Sequence, residues 1–257
     1  MKPNLLIGVA CAALLLISSS CEKTDTSNPS STALVKTMLL QFNDTVSYNY
    51  SLLYDNSSRI SQMDLVSTLG STVNRIRTTY VYSPGTVTMS TFNAIPDTLM
   101  ESEDITLNGQ GWGIQRATSF KAVYTSKTTL SYDSRGFMTE DSTSYLGLNT
   151  TKAITNYTIG ADGNVASKTY RSVTNFSSST TLTSYTYLTD KANSIGSANM
   201  GVSFSGKQNA NLIASSTSDP APLFGPNPLL YTYEYDALGR VSKLTTNDGV
   251  VRTYTYY

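Results

Sequence analysis

The chain has 257 residues, and its 18 basic residues balance its 18 acidic residues. Charged residues make up 14% of the chain, well below the roughly 25% of an average soluble domain. The sequence has no basic stripe with interleaved aromatic residues, which argues against nucleic acid as a partner. The chain contains no histidine, which excludes Ser-His-Asp and Cys-His catalytic arrangements and the common histidine zinc sites.

Residues 1–20 are predicted to be a lipoprotein signal peptide. A single lysine precedes the apolar run from Leu5 to Ile17, which is too short to span a bilayer as a helix and has the length of a signal-peptide core. Small serines then lead directly to Cys21, so we expect cleavage before this cysteine and lipid attachment to it. The alternatives are cleavage nearby by an ordinary signal peptidase, or retention of the segment as an anchor.

Residues 21–33 are predicted to be the lipidated cysteine and a flexible tether, because the stretch EKTDTSNPSSTA is polar and rich in Ser and Thr. Cys11 and Cys21 are the two cysteines of the chain, so the processed protein has neither a disulfide nor a thiol nucleophile. We therefore expect an exported protein that is held on the outer membrane by its N-terminal lipid and faces the periplasm or the cell surface.

Residues 34–257 are predicted to form a single all-β domain, because abundant Tyr, Thr, Ser and Asn suit strands and turns. Short links between strands imply antiparallel neighbours. The alternation of polar and apolar residues places the strands at about 34–42, 46–54, 59–67, 72–82, 86–92, 98–107, 114–125, 127–133, 137–145, 152–159, 164–172, 180–188, 229–236, 240–246 and 250–257.

A sheet with this many strands must curl, split or close. We therefore expect an antiparallel meander of Tyr-rich hairpins that forms a strongly curved open sheet or half-barrel. A closed barrel or a two-sheet sandwich is the alternative.

A Tyr-Asp turn recurs between the predicted strands. The aspartate can accept hydrogen bonds from backbone N–H groups of the turn, and a glycine supplies the positive φ that closes it. The residues of this repeated turn are Tyr54, Asp55 and Arg59; Tyr132, Asp133 and Gly136; and Tyr235, Asp236, Gly239 and Arg240.

Residues 190–228 interrupt the pattern with a segment that is rich in Gly and Pro and has no sustained period. A loop of this length in a compact domain is usually functional or disordered. Its apolar residues favour an ordered cover over one face or end of the sheet, with a mobile loop as the alternative. These apolar residues are Val202, Phe204, Leu212, Ile213, Leu223 and Phe224.

The Tyr-rich hairpins, above all the closing YTYEYDALGRVSKL, resemble the tyrosine-aspartate (YD) repeat of Rhs-type proteins, whose hairpins tile a large sheet. Together with the signal peptide and the lipid cysteine, they also resemble an uncharacterised family of Bacteroidota lipoproteins, a domain of unknown function related to the YD repeat. The resemblance implies a β-rich, surface-attached protein. It implies no catalytic residues, because the family has no established activity.

Two features are candidate binding sites. The densest acidic cluster contains Asp97, Glu101, Glu103 and Asp104, and Glu101 and Glu103 would point to the same face of a strand. Such carboxylates could act on a glycosidic bond or hold a cation. Trp112, which glycines flank, could stack on a sugar ring. For both features a structural role is favoured over a binding site: a solvated strand face for the carboxylates, and a sheet-covering role for the tryptophan.

These observations predict a non-enzymatic surface lipoprotein without cofactor or metal, which serves as a scaffold or binding platform for a glycan or a protein partner. One alternative is a polysaccharide hydrolase, which needs two converging carboxyl groups. The other is a half-barrel carrier of a lipid-like ligand. The carrier predicts a continuous apolar concave face, where the platform predicts Tyr, Asn and Thr.

Overall fold

The computed structural model describes residues 34–121, 123–145, 151–174 and 177–257, so the predicted signal peptide, Cys21 and the tether lie outside the described residues. Sixteen antiparallel strands follow one another as a meander. They are β1 (Val35–Asn43), β2 (Val46–Tyr54), β3 (Ile60–Leu69), β4 (Thr72–Ser83), β5 (Thr86–Ala94), β6 (Asp97–Leu107), β7 (Gly113–Phe120), β8 (Val123–Tyr132), β9 (Met138–Tyr145), β10 (Lys152–Ile159), β11 (Val165–Val173), β12 (Ser178–Ala192), β13 (Asn211–Asp219), β14 (Leu229–Tyr235), β15 (Val241–Thr246) and β16 (Val251–Tyr256).

The sheet closes into a barrel because the last strand pairs with the first. β16 runs antiparallel to β1, with Tyr256 opposite Val35 and Val251 opposite Gln41. The all-β antiparallel meander is confirmed, whereas the expected open sheet or half-barrel is wrong and the closed barrel named as its alternative is correct. Closure removes both free edges of the sheet, whose unpaired N–H and C=O groups would otherwise be exposed.

The strands differ from the prediction at two places. β13 lies inside the segment 190–228 that was expected to be irregular, because its run of serines gives little contrast between its two faces. The strand predicted over 114–125 is divided by a turn at Lys121, which has a φ of 48°. Neither glycine nor proline marks this turn in the sequence.

Buried and exposed residues alternate along the strands. On β2, Tyr48, Tyr50 and Leu52 are buried, whereas Asn49 and Ser51 between them are exposed. In a closed barrel the buried series is the inner wall. The apolar core lies on this wall, mainly along β1 to β4, β15 and β16, and residues from the connection between β12 and β13 complete it.

Residues 193–210, which connect β12 to β13 and are called the cap segment below, cover one end of the barrel. The backbone N–H groups of Val35 and Ile60, at the starts of β1 and β3, donate to carbonyl oxygens of the cap segment at 2.9 and 3.1 Å. The N–H of Val165 at the start of β11 donates to Asn209 Oδ1 at 2.7 Å, and that of Val241 at the start of β15 donates to Ser194 Oγ at 3.0 Å. The cap segment thus forms the ordered cover expected from the sequence.

The barrel end covered by the cap segment is called the cap end. At this end lie the described turns that lead from an even-numbered strand to the next odd-numbered one, and the odd-numbered strands end at the opposite end. Phe204 and Leu212 are buried as expected, and so is Met200, but Leu223 and Phe224 are 93% and 90% exposed. These two residues lie between β13 and β14, at the opposite end, and so do not anchor the cover.

Six tyrosines repeat one hydrogen bond at the cap end. Each hydroxyl donates, over 2.6 to 3.0 Å, to a backbone carbonyl near the start of the preceding odd-numbered strand. The pairs are Tyr54 and Val35, Tyr82 and Ile60, Tyr132 and Gly113, Tyr187 and Val165, Tyr233 and Ile213, and Tyr256 and Val241. Burial raises the pKa of Tyr132 to about 12, so its hydroxyl keeps the proton that it donates.

Close packing of the cap segment can be tested at Gly206. This residue has a φ of 76°, and an added Cβ would lie against the Tyr132 ring and 2.9 Å from the carbonyl oxygen of Gly136. We expect Gly206→Ala to lower the free energy of unfolding by about 2 to 4 kcal/mol, from backbone strain and overpacking together. The measurement is urea-induced unfolding followed by fluorescence.

Gly239 provides the matched control, because it has the same φ of 76° and no atom within 4 Å of an added Cβ. Gly239→Ala should cost only the backbone strain, about 1 kcal/mol. Equal losses in the two variants would contradict close packing of the cap segment on the barrel.

Candidate functional site

The repeated Tyr-Asp turns use their own side chains for turn structure. The Asp236 carboxylate accepts hydrogen bonds from the N–H groups of Leu238 and Arg240 at 3.0 and 2.9 Å, and from Arg240 Nε at 2.8 Å. The Arg240 guanidinium also lies 4.3 Å from the centre of the Tyr256 ring. At Gly239 a φ of 76° closes the turn.

The first Tyr-Asp turn has the same arrangement. Asp55 accepts from the N–H groups of Ser57 and Arg59 at 2.9 and 3.0 Å and from Arg59 Nε at 2.8 Å. The Arg59 side chain, followed by the backbone donors, lowers the pKa of Asp55. Ser58 adopts the positive φ, 61°, that glycine has in the other copies.

The central turn differs in its arginine. Asp133 accepts from the N–H groups of Arg135 and Phe137 at 3.0 and 2.9 Å, and from Arg135 Nε at 2.9 Å. Gly136 has a φ of 93°. In all three turns the carboxylate is thus engaged within its own hairpin.

Trp112 lies at the cap end and covers a neighbouring hairpin. Its ring centre is 5.4 Å from that of Tyr132, and an added Cβ at Gly136 would lie 2.6 Å from the indole. The side chain is half-buried. This contact agrees with a covering role and leaves the indole packed on protein.

The barrel divides the predicted acidic cluster between its two walls. Glu101 lies opposite the buried Thr91, and Glu103 lies two residues further along β6, so both face inward. The alternation predicted the shared face, whereas the favoured solvated face is wrong for these two carboxylates. Asp104 faces outward, where it accepts a hydrogen bond from Thr88 at 2.8 Å. Asp97 pairs with Arg77 on the outer surface at 2.7 Å.

Arg116 lies between two inward carboxylates. Its Nε is 3.7 Å from Glu103 Oε1, and both side chains are largely buried. Burial raises the pKa of Glu103, the Arg116 cation opposes this shift, and the Asp141 carboxylate adds to it. Burial likewise raises the pKa of Asp141 against the effect of Arg116. Within the described residues, no three His, Cys, Asp or Glu side chains converge as metal ligands.

The inner wall of β10 to β14 combines hydroxyl groups with aromatic rings. Lys168 on β11 lies opposite Tyr157 on β10 and opposite the buried Thr183 on β12. Tyr170 lies two residues beyond Lys168 on the same face. On the neighbouring strands, the Tyr231 hydroxyl lies 3.3 Å from Ser216 Oγ. This wall is polar and aromatic, without a continuous apolar face.

Solvent reaches the inner wall at the opposite end of the barrel. The inward residues Phe120 and Tyr145, at the last positions of β7 and β9, are 39% and 46% exposed. Tyr170, near the end of β11, is 40% exposed. The cap segment covers one end, and these rings are accessible at the other; the part of the inner wall that is accessible from the uncapped end is called the cup below.

The outer wall carries charged side chains along the middle of its strands, separated mainly by threonine and serine. These charged residues are Asp64, Arg75, Arg77, Asp104, Lys127, Glu140, Arg171, Glu234 and Lys243. Membrane-spanning barrels have an outward apolar band about 25 Å tall. The described strands have no such band. No helix within the described ranges is long and apolar enough to cross a bilayer.

Sequence reasoning missed four inward residues of this interior: Arg116, Asp141, Lys168 and Tyr170. Each lies in a strand whose two faces both contain hydroxyl residues. The available signal was the period of two, which groups the side chains of each strand into two sets. Only the closed sheet shows which set faces inward.

No family model and no curated protein matches the chain. Solved structures do resemble it. A porin-like protein from Bacteroides uniformis ATCC 8492 superposes with a TM-score of 0.60 at 12% identity, covering 87% of this chain and 98% of that chain. A porin-like protein from Bacteroides vulgatus ATCC 8482 has a TM-score of 0.56 at 13% identity, with the same coverage. At these identities the likeness extends to the barrel fold.

Arg116→Met should destabilise the protein in a pH-dependent way, because Glu103 and Asp141 lose the cation that offsets their burial. We expect a loss of about 3 kcal/mol in the free energy of unfolding at pH 7. Both carboxyl groups have a raised pKa in the folded state. The loss in the free energy of unfolding is therefore absent below the pKa of about 4 that both groups have in the unfolded chain. It grows as the pH rises through the pKa values of Glu103 and Asp141 in the folded state.

The measurement is urea-induced unfolding at several pH values between about 4 and 7. Arg77→Met is the control, because the Arg77–Asp97 pair is partly exposed, at 34% and 60% for the two side chains. Arg77→Met should lower the free energy of unfolding by at most about 1 kcal/mol. A large loss in Arg116→Met that does not change with pH would contradict the role assigned to Arg116.

Proposed function

We propose that this protein is a lipid-anchored barrel of the bacterial envelope that does not cross the membrane and binds a glycan inside its cup. It acts as a binding protein and not as an enzyme. The proposal rests on the polarity of the two walls of the barrel. Charged and hydroxyl side chains predominate along the middle of the outer wall, whereas tyrosines, threonines and buried charges line the inner wall beside the apolar core.

The outer wall is unsuited to hydrocarbon. An arginine or lysine that faces lipid at the midplane of a membrane barrel costs about 2 to 4 kcal/mol. Arg75, Lys127 and Arg171 face outward on strands around the barrel. Carboxylates such as Asp64 and Glu140 lie on the same surface. Solvation of this wall supports a barrel that stands beside the membrane.

The predicted anchor joins the barrel at its cap end. β1 begins with Val35 at the cap end, and the stretch from Cys21 to Val35 extends to about 50 Å at most. A lipid on Cys21 would therefore tether the barrel through its cap end and leave the accessible end of the cup on the side without the anchor. The predicted relation to lipoproteins with YD-type hairpins is part of the same proposal.

A glycan suits the cup better than a lipid. Tyrosine rings offer flat faces to sugar rings, and their hydroxyls can hydrogen-bond to sugar hydroxyls. Tyr145 and Tyr170 are half exposed on the inner wall, and the hydroxyl of Tyr170 adds to the raised pKa of Tyr145, as expected for adjacent rings. The polar residues between the rings argue against the lipid-like carrier.

Replacing residues 1–21 with a cleavable secretory signal peptide should release the protein into the periplasm without detergent. The full chain, expressed in the same Gram-negative host, should fractionate with the outer membrane because of its lipid. The measurement is osmotic shock followed by membrane fractionation. A barrel that spans the membrane would remain in the outer membrane in both forms, and this result would contradict the proposal.

Tyr170→Ala should weaken glycan binding about three- to tenfold through loss of one aromatic contact. Binding is measured for the mature chain on an array of bacterial and host glycans, with product analysis in the same wells. Tyr235→Ala is the control, because Tyr235 is 37% exposed at the cap end, outside the cup. Equal losses, or hydrolysis of a glycan, would contradict the proposal.

A further inference from the structure

Lys168 places an amino group on the inner wall of the cup. It lies in the middle of β11, between Tyr157 on one neighbouring strand and Thr183 on the other. Thr183 is buried, at 8% exposure, which fixes the inward direction of this set of side chains. The Lys168 side chain is itself partly buried.

No described residue forms a hydrogen bond or an ion pair with the Lys168 ammonium. Burial lowers the pKa of Lys168, and no neighbouring carboxylate opposes that shift. A partly buried charge is normally paired with an opposite charge, because removing it from water is costly. Lys168 therefore has the environment of a residue that receives an anion.

The surrounding residues supply no anion from the protein. Along β10 to β13, the inward positions of the described strands hold hydroxyl, aromatic, aliphatic and small side chains apart from Lys168, and none of them is a carboxylate. The inward carboxylates Glu103 and Asp141 belong to β6 and β9, where Arg116 offsets them. One side of the cup thus carries a positive charge that has no partner among the described residues, within an aromatic wall.

Tyrosines on both sides of Lys168 form that wall. Tyr157 and Tyr231 both add to the raised pKa of Tyr185, as expected for hydroxyls close to one another. Tyr170 lies two residues from Lys168 on the same face and is 40% exposed. Rings next to a cation are suited to a ligand that has both a sugar ring and a negative charge.

We propose that Lys168 binds the carboxylate of an acidic sugar, with the neighbouring tyrosines in contact with the sugar rings. This assignment rests on the glycan-binding function proposed above and narrows its ligand class to glycans that contain uronic acid. A single ammonium pairs with a single carboxylate, and the hydroxyl groups of the wall remain available for the neutral part of the sugar.

The experiment compares trigalacturonate with its methyl ester, which has the same rings without the charges. Binding to the mature, full-length chain is measured by calorimetry. We expect the acid to bind at least about tenfold more tightly than the ester, because a charge-assisted hydrogen bond to Lys168 adds to the affinity for the acid alone. Lys168→Met should abolish this preference, whereas Lys168→Arg should retain it.

Lys127→Met is the matched control, because Lys127 faces outward on β8 and its loss should not change the preference. The unfolding midpoint of Lys168→Met should be no lower than that of the unsubstituted chain, since the variant removes an unpaired buried charge.

Equal binding of acid and ester, no binding of either, or a preference that survives in Lys168→Met would overturn the assignment. If neutral glycans still bind in the cup, the function proposed above stands, whereas it fails if no glycan binds at all.

Discussion

Pairing of β16 with β1 is the interaction on which the rest of this structure depends. It joins the two ends of a sixteen-strand meander and converts one face of a continuous sheet into an enclosed wall. Without this pairing, the same hairpins would have two free edges and no interior. Closure decides which side chains lie in solvent and which are enclosed. The six tyrosine hydroxyls at the cap end each join an odd-numbered strand to the even-numbered strand that follows it.

The cap segment covers one end of the closed sheet. It satisfies backbone N–H groups at the starts of four odd-numbered strands, groups that would otherwise be left at the end of the sheet. Its apolar residues complete the core on one side of the interior. The other side is left polar and accessible from the opposite end, and this is where Lys168 and the exposed tyrosines lie.

The polarity of the walls is the basis of the proposal that this barrel does not cross the membrane. A barrel of this strand number can hold an aqueous channel, and the solved porin-like proteins share its fold. Fold alone does not decide function. Here the charged outer wall and the covered end instead favour a barrel that stands beside the membrane and binds a ligand within.

The sequence by itself determined the all-β class, the meander, most strand positions and the Tyr-Asp turns, because these depend on alternation and on side chains that bond within a few residues. It also placed Glu101 and Glu103 on one face. It did not reveal β13, whose hydroxyl residues give weak contrast, nor the turn at Lys121. Closure, and the inward direction of Arg116, Asp141 and Lys168, were decided only by the tertiary structure, since they require contacts between strands that lie at opposite ends of the chain.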